Sequence, residues 1–228
     1  MLLRQHKRMI ALVAVGVVLA GAIVILLRKD PTDALVRQAQ SGPTASRLEA
    51  IRNLEREGAD RAAGALAEMA QDRDTEVACR AVEVVARLHR AADVPRLKAA
   101  AQDPRPQVRE AGVIAIGLSG DREAGSVLLA ALRDPSPAVR AAALNAVGLR
   151  RDWPAMPHII LALDDESVGV RRAAGVAVRR LWQRDYGYRA EDPPEKRGPV
   201  VSRIRAEWEA FRQSPLYEQM NRSREKRP

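Results

Sequence analysis

Apolar residues recur along the centre of the chain at steps of three and four, the period of an amphipathic helix. In the stretch DPSPAVRAAALNAVGL, Asp134–Leu149, aspartate and proline precede the apolar face. A second apolar run, Met156–Leu163, follows after a short break. Aspartate can cap the free amides of a helix start, and proline fits the first turn. The pattern therefore predicts a helix, a short turn and a second helix.

The same pattern returns every 31 residues without a gap, in blocks that begin at residues 41, 72, 103, 134 and 165. Position 6 of the block is valine in four of the five blocks, position 10 is always alanine or glycine, and position 14 is always apolar. A hairpin with two apolar faces must stack on its neighbours to bury both of them. The sequence thus predicts an all-α fold, an α-solenoid of four and a half to five hairpins, over 41–71, 72–102, 103–133, 134–164 and 165–182.

Aspartate at position 1 and arginine at position 7 repeat together with this apolar pattern. Arg140 can reach back to Asp134 of its own block or to Asp103 of the block before it. We therefore expect a structural ladder of charged pairs along one face of the repeats, in preference to a ligand site. Its members are Asp103, Arg109, Asp134, Arg140, Asp165 and Arg171.

The N-terminal region differs from the repeats. A short basic tail, residues 1–8, precedes 19 uncharged residues, 9–27, and a linker follows over 28–40. A helix of that length measures about 28 Å, close to the hydrocarbon thickness of a bilayer. An uncleaved transmembrane helix is favoured over a cleaved signal peptide because the apolar run IVILL follows the cleavage-like AGA. The basic tail favours a single-pass protein of the inner membrane with its folded domain outside the cytoplasm.

The region after the repeats differs again. Residues 183–199 contain glycine, proline and aspartate and are expected to form a loop. Residues 200–214 predict an amphipathic helix, in which Ile204, Trp208 and Phe211 follow one another at steps of four and three. We expect this helix to cap the last repeat, and a partner-docking patch is the alternative. The basic residues 215–228 are expected to form a flexible tail.

The net charge of +9 does not indicate nucleic-acid binding once its distribution is considered. Residues 1–29 carry five basic and no acidic residues, whereas residues 30–182 carry 22 basic and 21 acidic ones. A nearly neutral domain with interspersed signs is typical of a solvated surface and lacks the basic stripe that contacts phosphates. We therefore expect no nucleic-acid partner.

The chain lacks the residue combinations that catalysis or metal binding requires. The three histidines, His6, His89 and His158, have no histidine or cysteine partner at metal-ligand spacing. Cys79 is the one cysteine, and we interpret it as a small packing residue. No nucleophile elbow or phosphate-binding glycine loop occurs. The sequence predicts no catalytic residue, no metal site and no cofactor.

The pattern DPxPxVRxxAxxAxGL, followed by a second helix such as MPHIILALDDES, resembles the short bacterial HEAT repeat that also occurs in phycobilin lyases. The resemblance covers residues 41–182. The first block lacks the aspartate and the valine, as suits an N-terminal capping repeat. Together with the predicted membrane helix, the solenoid indicates a membrane-anchored, non-catalytic scaffold that binds another protein, because solenoids present an extended surface that is usually lined by second helices. The candidate contacts on the second helices are Arg96, Lys98 and His158. A bilin-lyase-like enzyme or cofactor-handling protein is the alternative.

Overall fold

The computed structural model describes residues 31–57, 62–88, 91–121 and 124–225. Within these ranges the regular secondary structure is helical throughout, which confirms the predicted all-α class. The chain divides into two compact units, Met1–Ala62 and Ala63–Pro228.

The described part of the first unit contains two helices, α1 over Pro31–Ser41 and α2 over Thr44–Glu57, which pack against each other. Proline in the first turn and Asp33 at the positive end of the dipole both favour the start of α1. The turn between the helices is closed by the amide of Gly42, which donates to the carbonyl of Gln38 at 3.2 Å. Most of the stretch 28–40, which the sequence assigned to a linker, is therefore helix.

The second unit alternates short and long helices. The short helices, which are the second helices of the repeats, have seven or eight residues: α3 Ala63–Met69, α5 Val94–Ala100, α7 Ala124–Ala131 and α9 Met156–Ala162. The long helices, which are the first helices, have 13 to 15 residues: α4 Thr75–Leu88, α6 Pro106–Leu118, α8 Pro137–Leu149 and α10 Val168–Trp182. Two 3-10 turns, Ala91–Asp93 and Trp153–Ala155, precede α5 and α9.

The four first helices form one row, in which α4 packs on α6, α6 on α8 and α8 on α10. Each second helix packs against the first helix of the following repeat. The valines at position 6 are inaccessible to solvent in all four repeats of this unit: Val77, Val108, Val139 and Val170. In a stack of hairpins, the preceding and the following repeat bury such side chains between them and so remove them from water.

The small residue at position 10 permits the closest approach between helices. A Cβ added to Gly112 would lie 2.3 Å from the backbone nitrogen of Ala101. Contacts of that length do not occur, so any larger residue would push α6 away from the end of α5.

The repeated aspartates stabilise the turn before each helix, whereas the sequence predicts that they cap the helix itself. α6 and α8 begin at prolines, and the residues that precede them, Arg105 and Ser136, make no side-chain cap. Each aspartate instead accepts a hydrogen bond from the amide two residues later, as Asp103 does from Arg105 and Asp134 from Ser136, both at 2.8 Å. The aspartates therefore fix the turn that leads into the helix.

The C-terminal region contains more helix than the sequence predicted. α11 spans Pro194–Arg212 and so begins six residues before the expected position, inside the stretch assigned to a loop. Pro194 fits the first turn, and Pro199 costs the helix one backbone donor without ending it. The expected flexible tail contains a further helix, α12, over Pro215–Glu225.

These helices hold an aromatic cluster against the end of the repeats. The ring centroids of Trp153 and Trp182 lie 5.0 Å apart, and Phe211 lies 4.7 Å from Trp153. Trp208 stacks on Trp153 at 6.3 Å and contacts Tyr217 of α12 edge to face at 5.3 Å. Trp208 is buried. The rings thus pack on one another at the end of the repeats.

The predicted transmembrane helix, residues 9–27, lies outside the described residues, as does the basic tail 1–8. Within the described ranges, no helix combines the length and the apolar character needed to cross a bilayer. This finding contradicts the predicted single-pass location in the inner membrane, and that location is not retained.

Candidate functional site

The charged residues at positions 1 and 7 join neighbouring repeats. Nε and Nη2 of Arg109 donate to both carboxylate oxygens of Asp134, at 2.8 and 2.9 Å. Arg140 binds Asp165 in the same way, at 2.9 and 2.8 Å. Two parallel bonds from one guanidinium to one carboxylate are the strongest geometry for such a pair.

The direction of these bonds corrects the expectation for Arg140. Its side chain reaches forward to Asp165, and it does not bind the Asp103 or Asp134 carboxylates. It contacts Asp134 through the backbone carbonyl, to which Nη1 donates at 2.9 Å. The forward reach follows from stacking, because the turn of the next repeat lies directly over the start of α8.

Both ends of the described ladder use a substitute. Position 7 of the second block is Ala78, and Arg105 binds Asp103 in place of an arginine there, at 2.8 and 2.9 Å. Its Nη1 also donates to the carbonyl of Asp72 at 2.8 Å. At the other end, the residue 31 positions after Asp165 is Lys196, so the repeat supplies no further aspartate. Nε of Arg171 donates instead to the carbonyl of Ala190, at 2.8 Å.

These bonds change the acidity of the ladder. Hydrogen bonds from Arg105 hold the pKa of Asp103 below its ordinary value. Burial opposes ionisation of Asp134, but bonds from Arg109 and from the Ser136 amide outweigh it and lower its pKa. Arg109 and Arg140 are thus engaged with the carboxylates of Asp134 and Asp165.

The three predicted partner contacts do not form one site. Arg96 and Lys98 lie on α5 and His158 lies on α9, in repeats that are not adjacent, and all three are only half-exposed. Lys98 forms an ion pair with Asp121 at 3.0 Å. Nε2 of His158 lies 2.8 Å from Nη2 of Arg133, and burial, together with that cation, lowers its pKa.

Three exposed apolar side chains are grouped on the first helices α6 and α8, whereas Leu161 of α9 and Leu216 of α12 are exposed singly. Ile114 and Leu118 of α6 are 47% and 54% exposed, and Leu149 of α8 is 58% exposed. These leucines occupy position 16 of their blocks, whose other occupants in this unit are Arg87 and Arg180. We call the surface formed by positions 8, 12 and 16 of the first helices the first-helix face.

Two grooves cross the first-helix face between neighbouring helices. The first, of about 570 Å³, runs along the surface between α4 and α6 and is lined by Cys79, Glu83, Ile114 and Leu118 among others. The second, of about 360 Å³, separates α6 from α8 and has Ala141, Asn145 and Leu149 along its α8 side. Exposed apolar side chains beside concave apolar surface are the features of a protein-binding site.

Small residues create the second groove. A Cβ added to Gly117 would lie 2.6 Å from the Cβ of Ala146, so α6 and α8 approach closely there. Alanines 138, 141 and 142 add little volume to the walls. Sequence reasoning missed this surface, although the signal was present: leucine at position 16 falls outside the buried positions 6, 10 and 14.

An arginine-rich hollow of about 160 Å³ continues the same face beyond α8. It is lined by Arg172 and Arg179 of α10 and by Arg184 and Arg189 of the loop that follows. Arg172 forms an ion pair with Glu191, and Arg184 forms one with Glu207 at 3.1 Å. Arg179 and Arg189 are exposed, and in the described part of the chain neither forms an ion pair.

No group of three or more potential metal ligands comes together in the described ranges. Cys79 lies half-buried in the wall of the first groove, where burial raises the pKa of its thiol. His6 and His89 lie outside the described residues.

Comparison with known proteins agrees with the repeat pattern. The family described as HEAT repeats matches residues 32–117 and 94–179, which together make up more than half of the chain. Comparison with curated proteins finds no match.

Two solved structures share the fold. A chain in the complex of CpcE and CpcF of phycocyanin lyase from Nostoc sp. PCC7120 aligns with a TM-score of 0.57 and 22% identity, over 67% of this chain and 65% of that one. The chain thus spans less than two thirds of the lyase chain. An engineered protein aligns with a TM-score of 0.53 and 18% identity, over 79% and 94%. At these identities the likeness concerns the fold alone.

Proposed function

The chain belongs to the HEAT-repeat family, and we propose that it is a non-catalytic scaffold that binds another protein through the first-helix face. The observation that carries this proposal is the run of exposed apolar side chains, Ile114, Leu118 and Leu149, beside the two grooves. Leaving three large apolar side chains in water next to concave surface is unfavourable unless a partner covers them.

The charges of this face also fit a protein partner better than a nucleic acid. The groove between α4 and α6 carries Glu83 and Glu110 and one arginine, Arg87, at its walls. Carboxylates there would repel phosphates, whereas an apolar groove with a mixed polar rim suits a protein surface. The second-helix residues Arg96, Lys98 and His158 are not part of this proposal, because they are half-buried or already paired.

Affinity capture with matched variants tests the proposal. Wild-type protein, Leu118→Ser/Leu149→Ser and the control Leu161→Ser/Leu216→Ser are each used as bait in an extract of the source cells. The control leucines are 69% and 57% exposed but lie on α9 and α12, away from the first helices. We expect wild type and control to retain one stoichiometric partner and the face variant to lose it. Recovery of that partner by all three baits would contradict the proposal.

The alternative, a bilin-lyase-like enzyme, has the fold likeness to the phycocyanin lyase chain as its support. A linear tetrapyrrole absorbs visible light, so incubation of the purified protein with a bilin and gel filtration separate the two functions. The scaffold predicts that no absorbance elutes with the protein, and stoichiometric co-elution would favour the enzyme.

A further inference from the structure

The first-helix face is charged unevenly along the row of helices. Position 8 is Cys79, Glu110, Ala141 and Arg172 in successive repeats, and position 12 is Glu83, Ile114, Asn145 and Val176. The α6 and α8 part of the face is mostly apolar, and the α10 part is basic.

The basic end has more cationic than anionic groups. Four arginines line the hollow at α10, and the acidic residues in its lining are Asp185 and Glu191. Asp185 accepts a hydrogen bond from the amide of Gly187 at 2.8 Å. The exposed guanidinium groups of Arg179 and Arg189 thus keep free donors towards solvent in the described structure.

Arg180 adds a buried donor beside the apolar part. It occupies position 16, as Leu149 does in the preceding repeat, and its Cδ would lie 3.6 Å from a Cβ placed on Gly148. Its Nη1 is buried, and in the described structure it has no hydrogen-bond partner. Because Nη1 is closed off from solvent, Arg180 acts here through its positive charge, which favours a carboxylate nearby.

We propose that the partner contributes an extended segment whose apolar side chains enter the groove between α6 and α8 and whose acidic side chains bind the arginines of α10 and its loop. This inference rests on the proposed function and specifies the chemistry of the partner. Charge complementarity at the α10 end gives the segment its direction across the face.

The required length follows from helix packing. Neighbouring packed helices lie about 10 Å apart, so a segment from α6 to α10 spans about 20 Å. An extended chain covers about 3.3 Å per residue, so six or seven residues are enough. A random peptide library of about twelve residues therefore contains segments long enough to make both contacts.

Phage-displayed peptides selected on the wild-type protein test the inference. We expect the enriched sequences to combine apolar residues with two or more aspartates or glutamates at one end. A fluorescein-labelled enriched peptide should bind at least about tenfold more weakly to Arg179→Glu/Arg189→Glu and to Leu118→Ser/Leu149→Ser. The controls, Arg205→Glu on α11 and Leu161→Ser on α9, should change the affinity less than about twofold.

The salt dependence gives a second reading on the same peptide. The affinity should fall as the ionic strength rises from about 50 to 300 mM, since exposed pairs are screened. Thermal melting of each variant, followed by circular dichroism, verifies that it is folded.

Two results would overturn the inference. Enriched peptides that need Leu118 and Leu149 but carry no acidic residues, and bind the arginine variant normally, would refute the acidic chemistry and leave the proposed function standing. Failure to enrich any peptide that depends on the first-helix face would refute an extended segment. The proposed function fails separately, when the captured partner is retained by the Leu118→Ser/Leu149→Ser bait.

Discussion

At the scale of single residues, Arg140 shows what the repeated charges contribute. Its guanidinium and the Asp165 carboxylate are only 12% and 14% exposed, and four hydrogen bonds join the arginine to Asp165, to Asp134 and to Pro135. Arg140→Met leaves a largely buried carboxylate without its partner. We expect a loss of about 2 kcal/mol in the free energy of unfolding, measured by urea denaturation.

The exposed pair of Arg222 and Glu218 provides the control for Arg140. Both side chains are about two-thirds exposed and four residues apart on α12. Arg222→Met should therefore change stability by less than about 0.5 kcal/mol. Arg140→Met should also leave binding of the partner intact. Lost binding at unchanged stability would assign the ladder to the ligand site that the sequence disfavoured.

His158 predicts a pH dependence of stability. Burial, with a contribution from Arg133, lowers the pKa of this imidazole below its ordinary value. As the pH falls, the unfolded chain therefore takes up the proton first, and the folded state loses stability from about pH 6.5 downwards. Urea denaturation between about pH 7.5 and 5.5 should show this loss in the wild type and a smaller one in His158→Gln. Equal pH dependence of the two proteins would show that His158 does not contribute.

The ladder residues, but not all of their contacts, could be predicted from the sequence. The repetition of aspartate and arginine every 31 residues identified the paired residues, because register alone brings them to one face. It could not give the direction of Arg140, since that depends on which turn lies over α8. The repetition also could not predict the role of Arg105, which binds Asp103 because Ala78 stands where the other blocks have arginine. Arg105 does not belong to the repeated positions, so nothing in the pattern pointed to it.

At the scale of helices, two glycines distinguish the effect of close helix packing on stability from the effect of backbone entropy. Gly112 of α6 faces the backbone of Ala101, whereas nothing lies within 4 Å of a Cβ added to Gly64 of α3. Gly112→Ala must move α6 away from α5 and should lower stability by about 2–3 kcal/mol. Gly64→Ala should raise stability by about 0.5 kcal/mol, because alanine loses less entropy in a helix. Urea denaturation measures both, and equal effects would refute the close approach.

The C-terminal helices show why element boundaries were harder to predict than the repeats. Gly198 and Pro199 are typical of a loop, yet both lie within α11. The packing of Trp208 and Phe211 against Trp153 and Trp182 stabilises the helix that carries them. Tertiary contact thus outweighs local propensity there. No repeat exists from which this contact could be inferred, so only the aromatic spacing pointed to a cap.

At the scale of the whole second unit, the ladder couples the repeats to one another. It runs from the carbonyl of Asp72 through Arg105 and the two carboxylate pairs to Arg171 and Ala190. In a repeat protein, stability is the sum of the repeats and of the interfaces between neighbours, and the ladder contributes to each interface it crosses. The first-helix face, which we propose as the binding surface, is separate from these contacts.

Acid should therefore weaken this unit through the carboxylates of the ladder. The pKa values of Asp103 and Asp134 are lowered, chiefly by Arg105 at the first and against the effect of burial at the second. A carboxylate with a lowered pKa in the folded state contributes its full stability above the unfolded value, about 3.9, and loses it as the pH falls through the folded value. Asp103→Asn/Asp134→Asn should be less stable than the wild type at neutral pH, and the difference should shrink below about pH 4. Thermal melting at several pH values measures this. Glu49→Gln, which removes an exposed carboxylate from the interior of α2 and outside the described ion pairs, should follow the wild type throughout. A difference that stays constant down to low pH would contradict a contribution from the ionised form of the two carboxylates.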